Sequence, residues 1–138
     1  MNAASRGVIS LFLQNAYFPD RQACLDALAD AMRVAYCTFL EAGQAPRLDG
    51  PELALSRHML VTALSDAGFL TMAAPPVTAL EHALDGLPRN NFRPHICWVN
   101  DEGPHCCLID MAVMLPLLMR MPTRYLLSER SYPRHGHE

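Results

Sequence analysis

The chain contains no lysine: all eleven of its basic residues are arginine, against fourteen acidic residues and a formal net charge of -3. The absence of lysine excludes a Schiff-base lysine and the lysine-bearing phosphate loop of the common nucleotide hydrolases. The seven glycines form no GxGxxG pattern and no serine lies in a GxSxG turn. The sequence therefore lacks the usual motifs of dinucleotide-binding enzymes and serine hydrolases as well.

The acidic balance of the chain also bears on its partners. A net negative charge offers no sequence-wide attraction to phosphate backbones or anionic lipid, so we expect neither nucleic acid nor a membrane as a partner. The strongly apolar segment 106–121 contains Asp110 and Pro116 and is shorter than the roughly 18 residues of a membrane span. The early apolar run VISLFL is short for a secretion signal. We therefore expect a cytoplasmic protein whose five cysteines are reduced.

What the chain does contain indicates one α+β domain over residues 1–138. With 51% hydrophobic and 18% charged residues, it can bury a substantial core. The clearest element is a helix over about 20–42, which Gly43 is expected to end. Its apolar side chains recur at the i, i+3, i+4, i+7 spacing of one helix face. They are Leu25, Leu28, Ala29, Met32, Ala35, Tyr36, Phe39 and Leu40.

Two further helices are predicted before the β-rich part of the chain. Asp49 and Glu52 lie three residues apart, as in a capping box, and open a helix over 50–67 that ends at Gly68. A proline pair then begins a shorter helix over 76–85. The run VISLFL fits either a strand or the start of a helix.

The sequence changes to β character at Phe92. The stretch FRPHICWVN, a DEGP turn and HCCLIDM predict an antiparallel hairpin at about 92–110, and TRYLLSER near the end predicts a third strand. Helices followed by strands favour a small antiparallel sheet against which the helices pack. The tail from about residue 131 is expected to be flexible.

The hairpin concentrates residues that are capable of chemistry. The stretch HICWVNDEGPHCCLID holds two histidines, three of the five cysteines and the single tryptophan. If its turn is centred on the EG dipeptide, His95, Cys97 and Cys106 share one sheet face and offer nitrogen and sulfur ligands to zinc. Close ligand pairs such as CxxC are missing, so burial of the cysteines as small apolar residues is the competing interpretation. On balance we expect no metal and no cofactor.

A catalytic interpretation uses the same histidine. In the assumed register Asp110 faces His95, where it would hold one ring nitrogen and turn the other toward a nucleophile. Cys24 lies near the start of the long helix, where the helix dipole favours a thiolate. Cys24 followed by HICWVN and LID resembles the transglutaminase-like and papain-like enzymes. The resemblance implies acyl transfer or amide hydrolysis, with Cys24 as nucleophile, His95 as base and Asp110 as the orienting acid.

The function that we expect from the sequence is binding rather than catalysis. The usual cofactor motifs are missing. In a short chain with 51% hydrophobic residues, some apolar side chains can remain on the surface and form a patch for association. We therefore expect a small binding protein, acting as a regulator, inhibitor or immunity-type partner of another protein and also pairing as a homodimer. The cysteine-dependent enzyme is the first alternative, and a Cys/His zinc domain is the second.

Overall fold

The computed structural model describes residues 1–98 and 107–128. Within these ranges the chain forms five α-helices and four short strands. The strands are β1 (Asn2–Ala4), β2 (Arg47–Asp49), β3 (Arg93–Ile96) and β4 (Leu127–Ser128). The helices are α1 (Arg6–Phe12), α2 (Arg21–Glu41), α3 (Leu55–Met59), α4 (Asp66–Ala83) and α5 (Met111–Leu118). Short 3₁₀ turns cover Pro51–Leu53 and Arg89–Asn91.

The long helix α2 confirms the prediction for residues 20–42. The Asp20 side chain caps its first turn by accepting a hydrogen bond from the Ala23 amide. At the other end Gly43 adopts a φ of 69°, and the amide of Gln44 donates to the Phe39 carbonyl at 2.9 Å. Such a left-handed residue with a backward hydrogen bond ends a helix and favours glycine. Local sequence signals therefore determine both ends of α2.

The four strands form one sheet in the order β1-β2-β3-β4, and each neighbouring pair is parallel. Parallel neighbours need a crossover long enough to return the chain to the same edge, and helices commonly supply it. Here α1 and α2 connect β1 to β2, α3 and α4 connect β2 to β3, and α5 precedes β4. The strand order in space is thus the order along the chain.

This topology corrects the predicted antiparallel sheet built around a hairpin at 92–110. The α+β class and a strand near the chain end are confirmed, but β3 pairs in parallel with both β2 and β4. Residues 107–110 form no strand, and Asp110 instead caps α5 by accepting from the Ala112 amide at 2.9 Å. The predicted DEGP turn lies outside the described residues, which omit 99–106, and so does the predicted tail from about residue 131. The hairpin prediction failed because alternating apolar residues indicate a strand but not its partner.

The predicted boundaries of the second and third helices were also wrong. Instead of one helix over 50–67, the short helix α3 ends at Met59 and α4 begins at Asp66. Ser65 caps α4 by accepting from the Gly68 amide at 3.2 Å, so Gly68 lies in the first turn and ends no helix. The prediction of a start at residue 76 failed because Pro75 and Pro76 lie inside α4. The two prolines cannot donate the helix hydrogen bonds there, but Pro76 is buried and its carbonyl accepts from Arg6 at 2.7 Å, a tertiary contact that the local sequence does not predict.

The two faces of the sheet differ sharply. On one face Ala3, Leu48, Pro94 and Ile96 are buried against a core that includes Phe69 and Val77 of α4. Side chains of alternate residues point to the opposite face. The positions on that face are exposed or half-buried, and most of them are polar: Asn2, Ala4, Arg47, Asp49, Arg93, His95 and Leu127. We call these residues the open sheet face.

Candidate functional site

Large apolar side chains are exposed around the end of α1. Phe12 is 66% exposed, Leu13 65% and Tyr17 88%, and across a shallow depression Met59 and Leu60 are 61% and 55% exposed. We call these five residues the α1 surface. Single exposed apolar residues are ordinary, whereas several that lie close together on a small protein make the surface a candidate for protein binding.

Two apolar depressions flank α1 and give this surface its shape. The smaller, about 20 Å³, separates α1 from α3. Its apolar lining consists of Leu11, Phe12, Pro51, Leu55, Met59 and Leu60. The larger, about 190 Å³, lies between α1, the loop after it and the start of α2. Its apolar and sulfur-bearing lining consists of Ile9, Leu13, Ala16, Tyr17, Phe18, Cys24 and Leu28. The larger depression can receive an apolar side chain of a partner, whereas the smaller is only a shallow apolar contact surface.

A buried polar cluster anchors α1 at its first turn. The Ser5 hydroxyl accepts from the Val8 amide at 3.1 Å and donates to Glu52 Oε1 at 2.6 Å. The guanidinium of Arg6, only 1% exposed, donates from Nη2 to the Pro76 carbonyl at 2.7 Å. These contacts join α1 to α4 and to the turn after β2. The start of α1 therefore has a fixed position. Of the α1 surface, Phe12 lies at the end of this helix, Leu13 and Tyr17 in the segment that follows it, and Met59 and Leu60 at the end of α3.

Burial shifts the pKa values of the ionisable groups in and beside this cluster. Desolvation raises the pKa of Glu52 to about 7, against the lowering effects of the Ser5 hydrogen bond and the Arg6 charge. Desolvation likewise lowers the pKa of Arg6 to about 10 and raises that of Tyr36 to about 12. Glu52 Oε2 and two guanidinium nitrogens of Arg6 have no hydrogen-bond partner among the described residues. The carboxyl group is thus held in the fold at an energetic cost when it is ionised.

Gly7 provides the space that the Glu52 side chain occupies. A methyl group built on Gly7 would lie 2.1 Å from Glu52 Oε1 and 2.7 Å from its Cδ. No side chain fits beside the carboxyl group without displacing it, and displacement would break the bond to Ser5. The glycine therefore has a packing role that its φ angle does not show.

The structure pairs His95 with Asp49 rather than with the predicted Asp110. His95 Nδ1 lies 2.7 Å from Asp49 Oδ1, across the parallel pair β2 and β3 in which the two residues are direct neighbours. Arg47 Nε lies 3.3 Å from the same carboxylate oxygen. Asp49 therefore orients the histidine ring, and Asp110 serves α5 as its cap. The predicted capping box of Asp49 and Glu52 is absent because both carboxylates have these tertiary partners instead.

The candidate nucleophile and the candidate base belong to different surfaces. Cys24 is buried in the first turns of α2 and lines the larger depression beside α1. His95 lies in β3 on the open sheet face. No contact in the described part of the chain joins the Cys24 thiol to the histidine. The geometry therefore gives His95 a carboxylate partner and leaves Cys24 in an apolar pocket.

The residues of the hypothetical zinc site are only partly described. His95 lies in β3 and Cys97 directly follows the end of that strand. Cys106 lies outside the described residues. Within residues 1–98 and 107–128, no three histidine, cysteine, aspartate or glutamate side chains cluster in a way that could hold a metal ion.

Sequence reasoning missed Arg6, Glu52 and the partner of His95. One signal was available for the last: Asp49 follows the apolar Leu48 and precedes Gly50, which is typical of a residue at the end of a parallel strand before a turn. Burial of Arg6 and Glu52 had no such signal, since charged side chains are almost never fully buried unless they are paired.

No protein-family model matches the chain, and neither does any curated protein or solved structure. The function must therefore be argued from the geometry alone. None of the helices in the described ranges has the length and apolar character required to cross a membrane.

Proposed function

We propose that the protein binds another protein through the α1 surface and acts as a regulator, inhibitor or immunity-type partner. The observation that carries the proposal is the combination of five exposed large apolar side chains with two apolar depressions. Protein interfaces have apolar centres in which aromatic residues are enriched, and Phe12 and Tyr17 supply two such residues.

The shape of the surface indicates what kind of partner segment fits. Both depressions are lined mainly by apolar atoms, so a charged side chain entering either would lose its hydration without gaining a partner. A segment that projects apolar side chains from one helix face, at i and i+3 or i+4, could place one of them in the larger depression and another against the apolar rim of the smaller. The same chemistry would be met by the α1 surface of a second copy, which would make the complex a homodimer.

Site-specific crosslinking tests the proposal. A photoreactive phenylalanine analogue is placed at Tyr17 and, as a matched control, at Val34, which is 69% exposed on α2 but lines neither depression. In cells of the natural host, we expect irradiation to give one discrete adduct from position 17 and none from position 34. The mass of the adduct distinguishes a second copy from a different protein.

A second substitution makes the result specific. Leu13→Asp places a charge at the rim of the larger depression, and its side chain is exposed, so we expect folding to persist and the adduct to disappear. Two results would contradict the proposed binding. In one, irradiation of the protein with the analogue at position 17 gives no adduct; in the other, Leu13→Asp does not change the yield of the adduct.

The cysteine-dependent alternative has one specific observation in its favour. His95 has a carboxylate partner at 2.7 Å, as a catalytic base requires, although the partner is Asp49. Acyl transfer would also need the Cys24 thiol to reach the imidazole, and the two lie on different surfaces. The rate at which the Cys24 thiol reacts with iodoacetamide, compared with that of a model thiol, tests this alternative.

A further inference from the structure

The open sheet face is unusual for a parallel sheet. Sheets that are wholly parallel are normally covered on both faces, and their strands are correspondingly apolar on both. Here one face meets the core, whereas the other presents arginine, aspartate and histidine side chains. Within residues 1–98 and 107–128 the side chains of this polar face are exposed or half-buried and belong to no part of the hydrophobic core, so core packing does not explain them.

Four of these residues form a compact block on two adjacent strands. Arg47 of β2 is the direct neighbour of Arg93 of β3, and two residues further along Asp49 is the direct neighbour of His95. Residues two apart on a strand share a face, so all four side chains lie on the same side of the sheet. The block therefore places two guanidinium groups, one imidazole and one carboxylate within the spacing of two strands.

The block contains more positive than negative charge. Asp49 interacts with both Arg47 and His95, at 3.3 and 2.7 Å. Arg93 is exposed and has no ion pair among the described residues, although it lies directly beside Arg47. Like charges at directly opposed positions of a sheet destabilise it. The block thus carries an excess positive charge that a bound anion would neutralise.

We propose that this block binds the phosphate group of a small ligand, with Arg93 and Arg47 as charged donors and His95 Nε2 facing the same group. Asp49 fixes Nδ1 of the histidine, which leaves Nε2 as the ring nitrogen available to a ligand. Arginine is suited to phosphate because its planar fork donates two parallel hydrogen bonds. A phosphate monoester carries between one and two negative charges near neutral pH, which matches the excess of the block better than a carboxylate does.

Titration with inorganic phosphate tests the proposal, with acetate and chloride as comparison salts at equal ionic strength. We expect saturable changes in the ¹H–¹⁵N signals of β2 and β3 and in the imidazole signals of His95, and weaker or no saturation with acetate. Arg93→Gln should weaken phosphate binding by about tenfold or more, the loss of one charged donor. Arg89→Gln removes an equally exposed arginine outside the sheet and should leave binding unchanged.

A thermal measurement separates loss of binding from loss of folding. Removing Arg93 relieves its repulsion with Arg47, so in chloride the variant should melt no lower than the parent protein. Phosphate should raise the melting temperature of the parent and fail to raise that of the variant, because a ligand stabilises only the state that binds it. His95→Gln should reduce the phosphate effect as a second, independent substitution. The proposal is overturned if phosphate gives no saturable change, if acetate binds as tightly, or if Arg89→Gln weakens binding as much as Arg93→Gln.

Discussion

Glu52 provides the sharpest test of the packing described above. Its pKa in the folded protein is about 7, whereas a glutamate in the unfolded chain titrates near its ordinary value of 4.5. Between these two values the folded state holds a proton that the unfolded state has released. The free energy of unfolding therefore falls as the pH rises from 4.5 to 7 and is constant with respect to this group above that range.

The size of the effect follows from the difference between the two pKa values. Each unit corresponds to about 1.4 kcal/mol, so ionisation of Glu52 removes about 3 kcal/mol of stability between pH 4.5 and 8. Glu52→Gln keeps the shape of the side chain and an acceptor for the Ser5 hydroxyl, but it cannot ionise. The variant should therefore gain about 3 kcal/mol relative to the parent over the same pH interval.

Urea unfolding measures this difference directly. Trp98 is the single tryptophan and is 1% exposed, so its fluorescence reports the loss of the core. Every other titrating group is common to both proteins, and subtracting one pH profile from the other isolates Glu52. Glu41→Gln, at the exposed end of α2, is the matched control for the chemical change from carboxyl to amide. Parallel profiles for Glu52→Gln and the parent would refute the assignment of a raised pKa to this carboxyl group.

Three further predictions follow from other contacts. Gly7→Ala should destabilise the protein by about 2 kcal/mol or more because it displaces Glu52, whereas Gly68→Ala, whose nearest neighbour would lie at 3.4 Å, should be neutral or stabilising in urea unfolding. Asp20→Ala should cost about 1 kcal/mol in the same assay, the loss of an N-cap, and an unchanged midpoint would contradict that role. Cys24, being buried, should react with iodoacetamide more slowly than a model thiol when followed by peptide mass spectrometry; faster reaction would revive the cysteine-dependent alternative.

The parts of the fold that were predictable from the sequence are those that local interactions determine. Helix α2 has an apolar stripe, a capping aspartate and a glycine stop within its own sequence, and both of its ends agree with the prediction. The prediction for α4 was wrong by contrast, because Pro75 and Pro76 lie in the interior of that helix and not at its start. The helix propensity of proline opposes such a helix. A contact that stabilises it, the hydrogen bond from Arg6 to the Pro76 carbonyl, comes from the first turn of α1, which is distant in the sequence.

The sheet and the candidate sites were harder to predict, because long-range pairing determines them. The strands are two to four residues long, which is too short to show a clear alternation, and nothing in β3 indicates that β2 and β4 are its neighbours. The predicted partner of His95 depended on the predicted strand pairing, so the wrong pairing also gave the wrong partner for the histidine. The predicted carboxylate partner of His95, Asp110, rested on the assumed hairpin register, and the parallel pairing of β2 and β3 supplies Asp49 in its place.

The parallel order of the sheet also constrains how the protein reaches its native state. Each strand pair joins residues that are far apart in the chain, such as Ala3 with Leu48 and Leu48 with Pro94. None of these pairs can form through a tight turn, so the chain entropy lost on pairing must be offset by the contacts of the whole fold, including those of the helices between the strands. Sheet formation should consequently be a slow step of folding, since chain entropy is lost before the strand contacts repay it.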